Sequence, residues 1–158
     1  GALRANVLRL KKYPYIPVRL RELMCETFAD YPRRNEIESI IPFPLHPLRL
    51  KERSFNQAEI IARVIAEEFN LPLDTTSLKR IKATEKHRAG MDSDARAASL
   101  ENAFKVQAPR LIQDRTILIV DDTMTTGSTA NEMTRTLLGA GAKQVFVFTF
   151  ARAFMLFD

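Results

Sequence analysis

Apolar residues recur along this chain with two periods, and each period marks its own elements. Leu3, Val7 and Leu10 repeat at helical spacing, as do Leu20, Leu23, Met24 and Phe28 within 18–29, with Pro14 and Pro17 breaking the chain between them. This predicts N-terminal helices within residues 1–36. Tyr31-Pro32 and the charged run to Glu38 read as a loop, after which Ser39-Ile40-Ile41 begins a strand that the prolines at 42, 44 and 47 end. Ala58, Ile61, Ile65 and Phe69 share one face of an amphipathic helix, and Asn56 is placed to cap it.

Ile117–Val120 is a short unbroken apolar run, the mark of a parallel strand covered on both faces. A helical pattern through Met133, Leu137 and Leu138 follows and stops near Gly139 and Gly141. Gln144–Arg152 is a second strand, with Val145/Val147 on one face and Phe146/Phe148/Phe150 on the other, as expected of a central strand. Strand, helix, strand with a right-handed crossover gives an α/β fold with a parallel sheet flanked by helices. Residues 79–100 are polar and weakly periodic, and 79–110 as a whole is expected to be a mobile loop and small hood within a single domain spanning 1–158.

The chemistry concentrates directly after the apolar run, where the chain reads Asp121-Asp122-Thr-Met-Thr125-Thr126-Gly127-Ser128-Thr129. Open α/β sheets bind ligands beyond the carboxyl ends of their strands, so the acidic pair is expected at a site mouth. The hydroxyls and backbone N–H groups of Thr125–Thr129 can surround an anion at the start of the next helix, and Gly127 allows close approach. An anion cradle beside two carboxylates suits a ligand with an anionic end and a hydroxylated middle, such as a phosphorylated sugar. No G-x-x-x-x-G-K-[ST] phosphate loop occurs.

Composition narrows the picture. The single cysteine, Cys25, rules out an intramolecular disulfide within these residues, and its place at the edge of a helical stripe reads as packing. Neither His46 nor His87 has the partners of a transition-metal site, so no protein-built metal centre is expected. No apolar run reaches the length of a membrane span and the basic start lacks a signal-type apolar stretch, which makes a cytoplasmic location the expectation. The formal charge of +5 is carried by the N-terminal part: residues 1–63 hold twelve Lys/Arg against seven Asp/Glu, and residues 64–158 hold twelve of each. A basic face can serve nucleic acid, an anionic membrane or a pyrophosphate.

The segment 117–129 resembles the phosphoribosyl-pyrophosphate (PRPP) signature of type I phosphoribosyltransferases. A second block, Pro42-Phe43-Pro44-Leu45-His46-Pro47 with Arg49, Lys51, Arg53 and Phe55-Asn56-Gln57-Ala58-Glu59, is similar to a pattern of the competence-associated ComF family. Ala89-Gly90-Met91, Arg96, Leu100 and Ala103-Phe104 resemble that family's weaker middle pattern. Ser54 departs from the usual Gly, Ser99 from an expected Asn, and His87 or Arg88 from an expected Gln.

This resemblance implies a type I phosphoribosyltransferase-like fold and PRPP as ligand. The 5′-phosphate would meet Thr125, Thr126, Gly127, Ser128 and Thr129, and the ribose hydroxyls the catalytic pair Asp121 and Asp122. Mg²⁺ would be held mainly through substrate and water. The pyrophosphate candidates are His46, Arg49, Lys51 and Arg53, with Arg88 and Arg96 from the 82–100 excursion, which could close as a lid. The implied setting is natural competence and processing of internalised single-stranded DNA, with an unassigned acceptor. Two other readings stand beside it: a non-catalytic adaptor that binds DNA or a competence helicase and retains the pocket, and a PRPP-binding regulator of nucleotide metabolism.

Overall fold

The computed structural model describes residues 14–83, 98, 100–124 and 127–152. The helix predicted around Leu3–Leu10 and most of the 79–100 excursion lie outside them. Helix α1, Val18–Ala29, starts directly after Pro17, whose fixed φ suits the chain entering a helix. It buries Leu20, Met24 and Phe28, while Leu23 is 45% exposed. At about 100° per residue, the i, i+4, i+8 positions form the stripe and Leu23 falls beside it. Cys25 sits half-buried on the opposite flank, and burial, followed by Glu68, holds its thiol above the usual range.

Strands β1 (Ser39–Pro42), β4 (Thr116–Met124) and β5 (Gln144–Arg152) form a parallel sheet in the order β1-β4-β5. β4 is therefore central, not β5 as the residue pattern suggested. On β5, Phe146, Phe148 and Phe150 pack on one side and Val145 on the other, while Val147 is 43% exposed. β4 instead buries both faces. Ile117 and Ile119 meet Met133 and Leu137 on one side, and Leu118 and Val120 meet α1 on the other. Ile119 is fully buried, so Ile119→Ala should cost about 2–5 kcal/mol.

Pro42 is accommodated within β1 because of its direction. Ile40 N–H bonds outward to Pro72 O (2.8 Å) and Phe43 N–H inward to Val120 O (2.9 Å), so alternation turns the Pro42 nitrogen away from β4. No bond to the central strand is lost. Two elements were not anticipated from the pattern. Helix α2, Pro47–Arg53, occupies what reads as a basic loop, and β2 (Leu78–Arg80) pairs antiparallel with β3 (Phe104–Val106) across the predicted excursion.

Helix α3, Gln57–Phe69, packs Ala58, Ile61, Ala62 and Ile65 into the core. Helix α4, Ser128–Gly139, returns the chain from β4 to β5. It ends as the glycines suggest: Gly141 has φ 95°, with Ala142 N–H donating to Leu137 O and Gly141 N–H to Leu138 O.

Candidate functional site

β4 changes character at Asp121. Its first five residues are buried and its last four half-buried, so the strand leaves the core at the acidic pair. Pairing with β5 continues past that point, opposite Thr149 and Ala151. Asp121 and Asp122 thus lie on the strand, not in the turn after it, because the neighbouring strand supplies backbone partners for a polar stretch. Side chains held on a strand are better fixed than side chains on a loop.

Asp122 N–H donates to Asp121 Oδ1 at 2.8 Å. Burial, and then the adjacent Asp122 carboxylate, push the Asp121 carboxyl up to about 8. In the free protein the pair therefore holds a proton near neutrality. Binding a cation or a set of hydroxyl donors would expel that proton, since either favours the ionised carboxylate.

Thr125 and Thr126 lie outside the described residues. Gly127 follows as the N-cap of α4 with φ 80°, a left-handed conformation that glycine adopts without penalty. Among the described residues a Cβ there would meet Met124 Sδ at 3.7 Å, an ordinary contact, so the left-handed backbone is what disfavours other residues. Gly127, having no side chain, makes no side-chain cap bond to the helix. Ser128 and Thr129 are half-buried in its first turn, the end of a helix that favours an anion.

Across the sheet, α2 sorts the basic residues. His46 is the N-cap, its Nδ1 accepting from Leu48 N–H at 3.3 Å, with Pro47 at the first helical position. This leaves Nε2 as the group free to donate. Arg49 and Arg53, four residues apart, share a helix face and are half-buried, while Lys51 is exposed on another face. The helix therefore does not bring the three charges together. Arg49 pairs loosely with Glu52 (3.5 Å), and Arg53 donates to Gln57 Oε1 (3.3 Å). Ser54 closes α2 with φ 67°, so the position the resemblance fills with glycine is one where glycine's freedom is needed.

Asn56 and Gln57 divide their work. Asn56 Oδ1 accepts from Ala58 N–H (3.1 Å), and its Nδ2 donates to Phe43 O (2.8 Å), tying the segment after β1 to the start of α3. Gln57 is 2% exposed, yet its Nε2 has no partner among the described residues. A buried donor left unpaired costs about 1–3 kcal/mol. Its persistence is accounted for if the amide's task is to orient Arg53.

One residue of the site escaped the sequence reading. Arg80, at the end of β2, sits over the Phe104 ring at 5.8 Å. Burial and then Arg49 lower its pKa, and Asp121 opposes them. The guanidinium is therefore in electrostatic range of both the acidic pair and α2. The available signal was Leu78-Lys79-Arg80 ahead of the polar tract, and a strand pairing with Phe104–Val106 had to be recognised to use it. Arg88 and Arg96 lie outside the described residues.

Among the described residues no group of three or more His, Cys, Asp or Glu side chains could hold a metal. The donors at β4 are two carboxylates, a set that fits Mg²⁺ carried mostly by substrate oxygens and water. No helix among the described residues is long and apolar enough to cross a membrane.

Comparison with known proteins agrees with this fold. The phosphoribosyl transferase domain family matches residues 51–153. Competence protein F of Haemophilus influenzae is 32% identical over 138 residues, covering 85% of this chain and 60% of that protein. DNA utilization protein YhgH of Escherichia coli K12 is 32% identical over 115 residues, covering 73% and 49%. The chain thus spans about half the length of these relatives. Among solved structures, glutamine PRPP amidotransferase from B. subtilis superposes with a TM-score of 0.55 at 16% identity, over 83% of this chain and 26% of that one, a likeness of fold.

Proposed function

This chain belongs to the phosphoribosyl transferase domain family, and from that premise we propose that it binds PRPP or a related phosphorylated ribose and transfers the ribosyl group to an acceptor. One observation carries the reading: two adjacent carboxylates stand where the central strand leaves the core, a few residues ahead of a helix N-terminus opened by left-handed Gly127. The 5′-phosphate sits on Thr125, Thr126, Gly127, Ser128 and Thr129, and the ribose hydroxyls on Asp121 and Asp122. His46, Arg49, Arg53 and Arg80 face the pyrophosphate, with Arg88 and Arg96 as further candidates. Lys51 contributes less, being turned to solvent.

Transfer forms a bond from the acceptor to ribose C1 as the bond from C1 to pyrophosphate oxygen breaks, the electron pair leaving with pyrophosphate. Positive charge develops on the ring, as in glycoside hydrolysis. In this reading the two carboxylates stabilise that charge and the arginines receive the departing anion. Mg²⁺, when bound, neutralises pyrophosphate oxygens. The names of the relatives point to competence and DNA utilisation, and we place this chain's activity in that setting, in handling internalised single-stranded DNA.

A second reading, an adaptor for single-stranded DNA or a competence helicase, draws support from charge. Four of the basic residues of the N-terminal part fall in residues 1–13, whereas residues 14–63 hold eight Lys/Arg against seven Asp/Glu. Arg19, Arg21, Arg33, Arg49 and Arg63 are each paired with a glutamate, so five of the eight basic side chains of residues 14–63 are already opposed. Calorimetric titration with PRPP, with and without Mg²⁺, followed by an acceptor screen, tests the first reading. Tight PRPP binding that disappears in Asp121→Asn/Asp122→Asn supports it. Absence of PRPP binding alongside salt-dependent DNA binding replaces it with the adaptor.

A further inference from the structure

Beside β1, on the flank away from β4, lies a cavity of about 250 Å³ between the segment after β1, α2 and β2. Asp121, Asp122 and residues 127–129 are not among its walls, so it is separate from the proposed sugar-phosphate cradle. Pro42, Pro44 and Pro47 give it rigid faces, and Leu45, Leu50 and Leu78 complete an apolar lining. Proline rings lose little freedom on ordering, so such walls are preformed.

The polar groups at the cavity are unequal. Asn56 is spent on the α3 cap and Phe43 O, Glu59 is paired with Arg63, and Asp74 accepts from Thr76 and Ser77. Those hydrogen bonds hold the Asp74 carboxyl ionised, below its usual range, despite the opposing effect of burial. The cations Lys79 and Arg80 complete the rim. Lys79 is exposed and its ammonium has no partner among the described residues. Both acids are thus already engaged, and a positive group remains available to a ligand.

We infer that this cavity is a second ligand site, for a small planar ring bearing an anionic group, the ring lying between the prolines and leucines and the anion meeting Lys79. Size supports one ring: an apolar cavity of about 150 Å³ holds benzene, and the extra volume leaves room for a substituent but not for a nucleotide. The inference does not depend on the sugar-phosphate reading, because none of the residues assigned to the ribose hydroxyls or the 5′-phosphate lines the cavity.

The test is a titration of leucine-methyl-labelled protein with benzoate, and with benzamide as its uncharged counterpart, followed by calorimetry. Benzoate should shift the methyls of Leu45, Leu50 and Leu78 and bind more tightly than benzamide. Lys79→Glu should weaken benzoate about tenfold, the scale of a lost charge-assisted hydrogen bond. Leu50→Trp, filling the cavity from its rim, should abolish the shifts. PRPP binding should persist in both variants. Equal binding of benzamide, unmoved methyls of Leu45, Leu50 and Leu78, or full competition by inorganic phosphate would overturn the assignment. Failure of PRPP to bind the unmodified protein would sink the transferase reading while leaving the benzoate result intact.

Discussion

Asp121 is the residue whose chemistry is furthest from its sequence expectation. An aspartate in an unfolded chain titrates near 4, whereas here burial and Asp122 raise it to about 8. Between those values the folded chain holds the extra proton. Its contribution to stability is therefore full at low pH and is lost as pH rises through about 8. Melting temperatures from pH 5 to 9 should fall more steeply for the parent protein than for Asp121→Asn, and parallel curves would refute the shift. Mg²⁺-PRPP binding at pH 7 should also release protons, read as a dependence of calorimetric enthalpy on the buffer. Ser54 is the second case. With φ 67° it bears a left-handed backbone that glycine adopts freely, so Ser54→Gly should raise stability by roughly 1 kcal/mol in urea denaturation.

Helix α2 turns a run of basic letters into a sided element. Arg49 and Arg53 share its half-buried face, Gln57 steadies Arg53, and Lys51 faces solvent. Arg49→Ala with Arg53→Ala should weaken pyrophosphate about tenfold or more while changing ribose 5-phosphate little, because the latter lacks the diphosphate. Lys51→Ala should change both by less than twofold. Calorimetry with the two ligands separates these outcomes, and an equal loss for both would place the pyrophosphate elsewhere. Gly127→Val acts on another element, the start of α4. A β-branched residue is strained at φ 80°, and the variant should lose PRPP affinity more than thermal stability. Unchanged affinity in a folded variant would move the phosphate cradle away from this turn.

At the scale of the whole molecule the positive charge is not spread over the described surface but concentrated at the chain's start. Replacing Arg4, Arg9, Lys11 and Lys12 by serine should lower any single-stranded DNA affinity and flatten its dependence on salt, leaving PRPP binding unchanged. An unaltered salt slope would assign DNA contact to another face. Much of the fold was legible without coordinates. The limits of α1 and β5, the Asn56 cap and the stop at Gly141 follow from apolar period and from residues with few backbone options, which are local physics. The acidic pair and Gly127 were legible for the same reason, as a chemical string at the end of an apolar run. What local physics does not contain is the identity of a strand's neighbour. Pairing with β5 drew Asp121 and Asp122 into a strand, pairing with Phe104–Val106 made β2 and brought Arg80 toward the pair, and order across the sheet made β4 central. Each depends on contacts between residues far apart in sequence, where backbone partners and shared burial override the preference of any single segment.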